Sequence, residues 1–352
     1  MVFIKKKHIF LFLLFISSCA KTNYLITQGK GQWDLLHSAR PNSEILGDPT
    51  VDQKLKDKIH LIEKYKQYFY QQFNEKSGGI YSKTNILKSE AVTHLVIASP
   101  YNKIEAIEEW FPFMGSFPYL GFFSEEDALK WAQKREQEGN WVYVRKVYAY
   151  STLGHFEDPI LSSFFYYDDV ELAELIFHEL FHTLFFAKNE VDLNESLANY
   201  FAEEMRSDYF KNDPQINKKR NEEEIASEAI MQIIVDVGQK WNQELAERGV
   251  KTKQESEEVQ KRVVSTLLKP QIKAVCEKYK ISECRYLELE WNNALMASMM
   301  TYERVSDAIG KKRDELNLSL PQFLSYIKDQ YKEYRRSGSG MSFELFLLGE
   351  NK

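Results

Sequence analysis

Cysteine is scarce in this sequence: of 352 residues only Cys19, Cys276 and Cys284 carry a thiol. Three cysteines cannot staple a disulfide scaffold, and their spacing matches no CxxC zinc pattern. Cys276 and Cys284 are close enough to pair across a short loop, or to be two unrelated thiols near a helix end; the spacing alone leaves both open. Basic tracts are absent too. Lys and Arg number 46 against 52 Asp and Glu, a formal charge of -6, so nothing is organised to neutralise phosphates and nucleic acid is excluded as the expected partner. Beyond the first twenty residues no apolar run approaches the length of a membrane span. No repeat is visible, and no linker is long enough to separate two domains. With 43% hydrophobic and 14% aromatic residues, the chain has ample material for a folded core.

The N-terminus reads as an address. Lys5, Lys6, Lys7 and His8 precede the apolar run from Ile9 to Ile16, which suits a signal peptide better than a mature span. The run closes on Ile16-Ser17-Ser18-Cys19, which resembles a bacterial lipobox. That resemblance implies that residues 1–18 are a lipoprotein signal peptide and that Cys19 is acylated. The mature chain is then held to a membrane by a lipid anchor. Ala20 rather than Asp after the cysteine points, by the sorting rule, to the outer membrane facing the periplasm.

Residues 19–352 are expected to form one domain. Apolar positions from Leu55 to Phe69 recur at helical spacing over about 52–74, with Ser77-Gly78-Gly79 as the stop. Residues 92–98 and 141–150 read as strands, and 110–119 as an irregular aromatic loop with short strands. Ser124 is the expected N-cap of a helix that Gly139 ends. After Asp168 helices are expected at roughly 169–188, 192–206, 221–247, 254–279, 286–315 and 320–333, with the charged stretch 206–224 as a mobile connection. The expected class is α+β and predominantly helical, with a small sheet preceding a helical C-terminal half.

The chemistry concentrates in His178-Glu179-Leu180-Phe181-His182. Residues four apart share one helix face, so both imidazoles can reach one ion at about 2.0–2.1 Å. Glu179 is rotated by about 100° and stands beside the ion instead of on it, where it can act as a general base. The apolar residues Leu172, Ile176, Phe177, Leu180, Phe181, Leu184 and Phe185 wall the helix in. A hydrolytic zinc site needs a third protein ligand and an open fourth position. Asn194-Glu195-Ser196-Leu197-Ala198 offers Glu195; Glu190 and Asp192 are rivals in the intervening turn. HExxH followed by NExxA resembles the gluzincin pattern, in which the Glu is the third ligand. One turn later, where several gluzincins carry a carboxylate that orients the first His, stands Asn199. No His follows His182, so the oxyanion donor is sought among tyrosines, with Tyr302 as the candidate beside the reading of a plain core aromatic.

These motifs, with Ala149 to Pro159, the Phe111-Pro112…Gly115…Pro118-Tyr119…Gly121 loop, Gln28…Gly31-Gln32 and Asn292-Asn293-Ala294, resemble the predicted aminopeptidase family of bacteria. The resemblance implies a zincin-like metallopeptidase with one Zn²⁺ per chain. His178, His182 and Glu195 would be its ligands, Glu179 its base and a peptide its substrate. Leu120 and Met114 depart from the family pattern in the loop. The GxMxN-type motif that holds a free amine is missing, and Glu157, Asp158, Asp168 and Asp169 are the carboxylates that can replace it. Two further readings stand beside removal of N-terminal residues: an endopeptidase acting on envelope proteins, and a non-catalytic zinc-binding envelope lipoprotein. The latter has no use for Glu179.

Overall fold

The computed structural model describes residues 23–111, 115–149, 157–281, 283–300 and 306–349. Cys19, Met114, Tyr302 and most of the segment from Ala149 to Pro159 lie outside them. The class is as expected, α+β with helix dominant.

The chain opens with helix α1 (23–37). Next come β1 (Arg40–Pro41), α2 (Asn42–Gly47) and α3 (Gln53–Gln72), the last capped by Asp52, whose carboxylate accepts from Lys54 N. α3 ends ahead of the Ser-Gly-Gly stretch, since Asn74 already turns into the left-handed region at φ 52°. Strand β2 (Lys83–Asn85) pairs antiparallel with β1 and parallel with a later strand, β8 (Ile160–Leu161). The larger sheet has the order β6-β3-β7, all antiparallel, from β3 (Thr93–Pro100), β6 (Leu120–Phe122) and β7 (Asn140–Val147). A small hairpin, β4 (Glu109–Phe111) with β5 (Gly115–Phe117), supplies the short strands of the aromatic loop. Helix α4 (Glu125–Gln137) starts where Ser124 Oγ accepts from Asp127 N, and Gly139 ends it at φ 88°.

The second half is α5 (Asp169–Phe181), α6 (Val191–Tyr209), α7 (Pro214–Glu247), α8 (Lys253–Val263), α9 (Lys269–Lys278), α10 (Asn293–Met300), α11 (Ser306–Leu316), α12 (Leu320–Ser337) and α13 (Phe343–Leu348). Several boundaries correct the sequence reading. Residues 206–224 are no mobile connection: α6 and α7 occupy nearly all of it. Buried Arg206 ties the region down through Glu174 at 3.0 Å and through Glu224. The 254–279 helix is interrupted by a π turn, 264–268, directly before Pro270. Proline has no N–H for the i−4 carbonyl, and a widened turn absorbs the missing bond. The 286–315 helix begins only at Asn293, because Asn292 Oδ1 caps it by accepting from Leu295 N at 2.9 Å.

Two large clusters and a small one form the core. One joins α3, α5, α6, α11, α12 and α13, with Phe69, Phe177, Phe181, Phe201 and Phe323 fully buried. A second joins α7 to α10 around Trp241 and Trp291. The third packs α4 on the β6-β3-β7 sheet. Cys276 and Cys284 form a disulfide between α9 and the turn that follows it, which decides the pairing the sequence left open. Closing so short a loop removes unfolded-state freedom worth about 2–3 kcal/mol. Cys276→Ser is therefore expected to lower unfolding stability by about that amount in denaturant titration.

Candidate metal centre

Helix α5 is built to be rigid. Asp168 caps it in a reciprocal box: its Oδ1 accepts from Val170 N at 2.9 Å and Glu171 N at 2.8 Å, while Glu171 Oε2 accepts from Asp168 N at 3.1 Å. From α3, Lys58 Nζ donates to Tyr167 O and Asp169 Oδ1, and Tyr65 OH donates to Asp169 O. Leu172, Ala173, Ile176, Phe177, Leu180 and Phe181 are fully buried, so the helix cannot rotate without opening the core.

The chain leaves the helix at His182, earlier than the expected residue 188, because the following turn has its own partners. Thr183 Oγ1 donates to Leu180 O at 2.6 Å, and Asn189 takes a left-handed conformation at φ 65°. Buried Asn194 clamps both backbone groups of Ala187: its Oδ1 accepts from Ala187 N and its Nδ2 donates to Ala187 O, each at 2.8 Å. The C-terminal helices brace the same turn, through Tyr331 OH accepting from Lys188 N and Glu190 Oε1 accepting from Phe343 N.

That clamp sets the next residue, Glu195, against the α5 histidines. His178 Nε2 lies 3.3 Å from His182 Nε2 and 3.4 Å from Glu195 Oε2, and His182 Nε2 lies 3.6 Å from Glu195 Oε1. Donors about 2.0–2.1 Å from one ion at tetrahedral angles stand about 3.3 Å apart, so the three are spaced to share a metal. Among the described residues this is the one cluster of His, Cys, Asp and Glu close enough to do so. Of the rival carboxylates, Glu190 is engaged with Phe343 N, and Asp192 lies in the first turn of α6.

Exposure falls across the triad from 36% for the Glu195 side chain through 18% for His178 to 1% for His182, so the centre opens on the Glu195 side. Burial, helped by the charge of His178, pushes His182 down to about 4; its imidazole is neutral at neutral pH and keeps a lone pair for a metal. Burial would also lower His178, but its hydrogen bond to Glu195, the charges of Glu179 and Glu195 and a hydrogen bond with Asn199 outweigh it and raise the ring above the usual value. For Glu195 burial works upward, yet the two imidazoles win and hold the carboxyl below its usual range. Asn199, one turn beyond Glu195, hydrogen-bonds the first histidine.

Glu179 is 8% exposed. Its charge acts on two tyrosine hydroxyls that sequence reasoning did not select. Tyr81 is fully buried at φ 59° and Tyr167 is half-buried just before α5, and both pKa values are raised, first by burial and in part by Glu179. No local pattern marks either residue. Arg145 acts on the Tyr167 hydroxyl as well. It also lines an apolar cavity of ≈ 130 Å³ with Leu95, Ile97, Tyr143, Met231 and Met299. Among the acidic candidates for an amine anchor, Asp168 and Asp169 are used to cap and tether α5, and Asp158 is 2% exposed. Glu157 is exposed and leans over Gly79, where a Cβ would collide with its carboxylate.

The sequence model of the Putative aminopeptidase family matches residues 23–336. No curated protein and no solved structure matches the chain.

Asn194→Leu is expected to leave two buried backbone groups unpaired. The cost is about 2–4 kcal/mol of stability, with a matching fall in bound metal, checked by denaturant titration and metal analysis of the same preparation. His182 gives a pH signature in the metal-free protein. Its folded pKa of about 4 lies below the usual 6.5, so its contribution is present above 6.5 and lost as pH falls towards 4. The loss is roughly 3 kcal/mol, and His182→Gln is expected to flatten that slope in thermal melts.

Proposed function

The chain belongs to the Putative aminopeptidase family, and from that premise we propose that it hydrolyses peptide bonds with one Zn²⁺ held by His178, His182 and Glu195. The single observation that carries this reading is the convergence of the three donors at 3.3 to 3.6 Å, with an acidic residue beside them that is not itself a donor. Two imidazoles and one carboxylate make the donor set of a hydrolytic zinc site, and the open side at Glu195 leaves room for a substrate. The zincin-like assignment is part of the same proposal.

Zinc in this place supplies Lewis acidity, which polarises a carbonyl and makes a water molecule acidic near neutral pH. The chain's own groups do the rest. Glu179 receives the proton of the attacking water and delivers it to the leaving amine, a transfer its nearly closed position favours by keeping bulk water away. Asn199 holds the His178 ring in orientation. Tyr302, the candidate oxyanion donor, lies outside the described residues.

Removal of N-terminal residues is the form of the reaction the family name supports. We place it in the cell envelope, with Cys19 as lipid anchor. The Cys276–Cys284 disulfide supports an oxidising compartment, and among the described residues no helix is long and apolar enough to cross a membrane.

The purified chain is expected to contain close to one zinc and to release amino acids from amides or anilides. Glu179→Gln should keep the zinc and lose about 10²–10⁴-fold in turnover. Cleavage of N-blocked peptides alone would make the protein an endopeptidase. Zinc without hydrolysis in wild type and variant alike would make the site non-catalytic.

A further inference from the structure

Helix α1 carries an outward face that the fold does not use. Its inner side is firmly seated. Tyr24 OH donates to Gly121 O at 2.9 Å and its ring meets Phe111 and Phe122. Leu35 is buried, and its carbonyl accepts from Asn85 Nδ2 at 2.7 Å. Gly31 lies so close to the Phe123 ring that any side chain there would collide. The helix therefore cannot roll about its axis.

With its orientation set, the opposite side presents Leu25 at 39%, Ile26 at 64% and Trp33 at 62% exposure, with the His37 ring stacked on Trp33 at 3.6 Å. At 100° per residue Leu25, Gly29, Trp33, Ile26 and His37 fall within an arc of about 120°, away from Tyr24, Gly31 and Leu35. Two large aliphatic side chains and a tryptophan on one face make an apolar strip on a helix end that nothing among the described residues covers.

The position of this strip along the chain identifies what covers it. Only Ala20, Lys21 and Thr22 lie between Cys19 and Asn23, and the four steps of a fully extended chain reach about 14 Å. If Cys19 is acylated, as proposed above, α1 is confined to the lipid–water boundary. A helix with tryptophan and aliphatic residues on one side and polar residues at its flanks is the form that lies in that boundary. We propose that the Leu25, Ile26 and Trp33 face of α1 rests in the headgroup region of the bilayer, so that the lipid tether and the helix together fix how the catalytic body is oriented on the membrane. The inference rests on the lipoprotein reading of Cys19, but it adds a contact that a flexible tether alone would not make.

The test uses the full acylated chain, extracted from the host membrane and reconstituted into phosphatidylethanolamine–phosphatidylglycerol vesicles, some with brominated acyl chains. Bromine quenches a tryptophan only in contact with the bilayer. Of the 6 tryptophans, Trp241 and Trp291 are buried in the core and Trp110 is exposed elsewhere, so comparison with Trp33→Phe isolates the α1 signal. Bromine-dependent loss of emission is expected in the wild type and should fall about twofold or more in Trp33→Phe. Ile26→Asp should weaken it likewise, with no change in melting temperature. Mass spectrometry of the N-terminal peptide from the same preparation separates the two ideas. An acylated Cys19 with no quenching difference overturns the membrane face and leaves the anchor standing. An unacylated N-terminus overturns the anchor and the inference with it. Quenching absent from vesicles but Trp33 cross-linked to a second copy would assign the face to self-association instead, and overturn the proposal.

Discussion

Everything at the candidate centre depends on bringing one carboxylate to two imidazoles from a neighbouring helix. Side chains four apart on α5 share a face by helical geometry alone. Glu195 has no such guarantee, because it reaches them only if the chain reverses within the few residues between His182 and Val191. Asn194 makes that reversal reproducible by pairing both backbone groups of Ala187. A buried amide with both ends satisfied is directional in a way that an apolar contact is not, and it sits directly before the residue it positions.

The surrounding helices serve this reversal. Tyr331 and Glu190 bind α12 and α13 to the turn through Lys188 and Phe343, and Phe185 packs against both the Tyr331 and Phe343 rings. On the other side α3 holds the first turn of α5 through Lys58 and Tyr65. Between these supports α5 is enclosed by aromatic rings, Phe181 lying nearly parallel to Phe201 at 4.6 Å. With its apolar side buried, the helix holds the histidine stripe towards Glu195 of α6.

Electrostatics follow from the same packing. Burying His182 keeps it neutral, whereas His178, nearer solvent and facing Glu195 and Asn199, holds its proton more strongly than usual. The two imidazoles of one motif thus differ in character because one is enclosed by core and the other by polar groups.

Read by itself, the sequence determined whatever depends on near neighbours. It placed the histidines on one helical face, identified Asp168 and Ser124 as helix starts, and predicted a helical α+β body. It also offered Glu195 as a third ligand, and the resemblance put Asn199 at the place of the carboxylate that orients the first histidine. Tertiary structure alone decided the rest. It cut α5 short at His182 and α10 back to Asn293, where side-chain caps and clamps overrode apolar periodicity. It paired Cys276 with Cys284 and engaged Glu190 elsewhere. It also turned Trp33 outward while Tyr24 and Leu35 turned in. Periodicity reports which residues share a face of their own element. Which foreign group that face meets is fixed by contacts between residues far apart in the chain, and no local pattern records them.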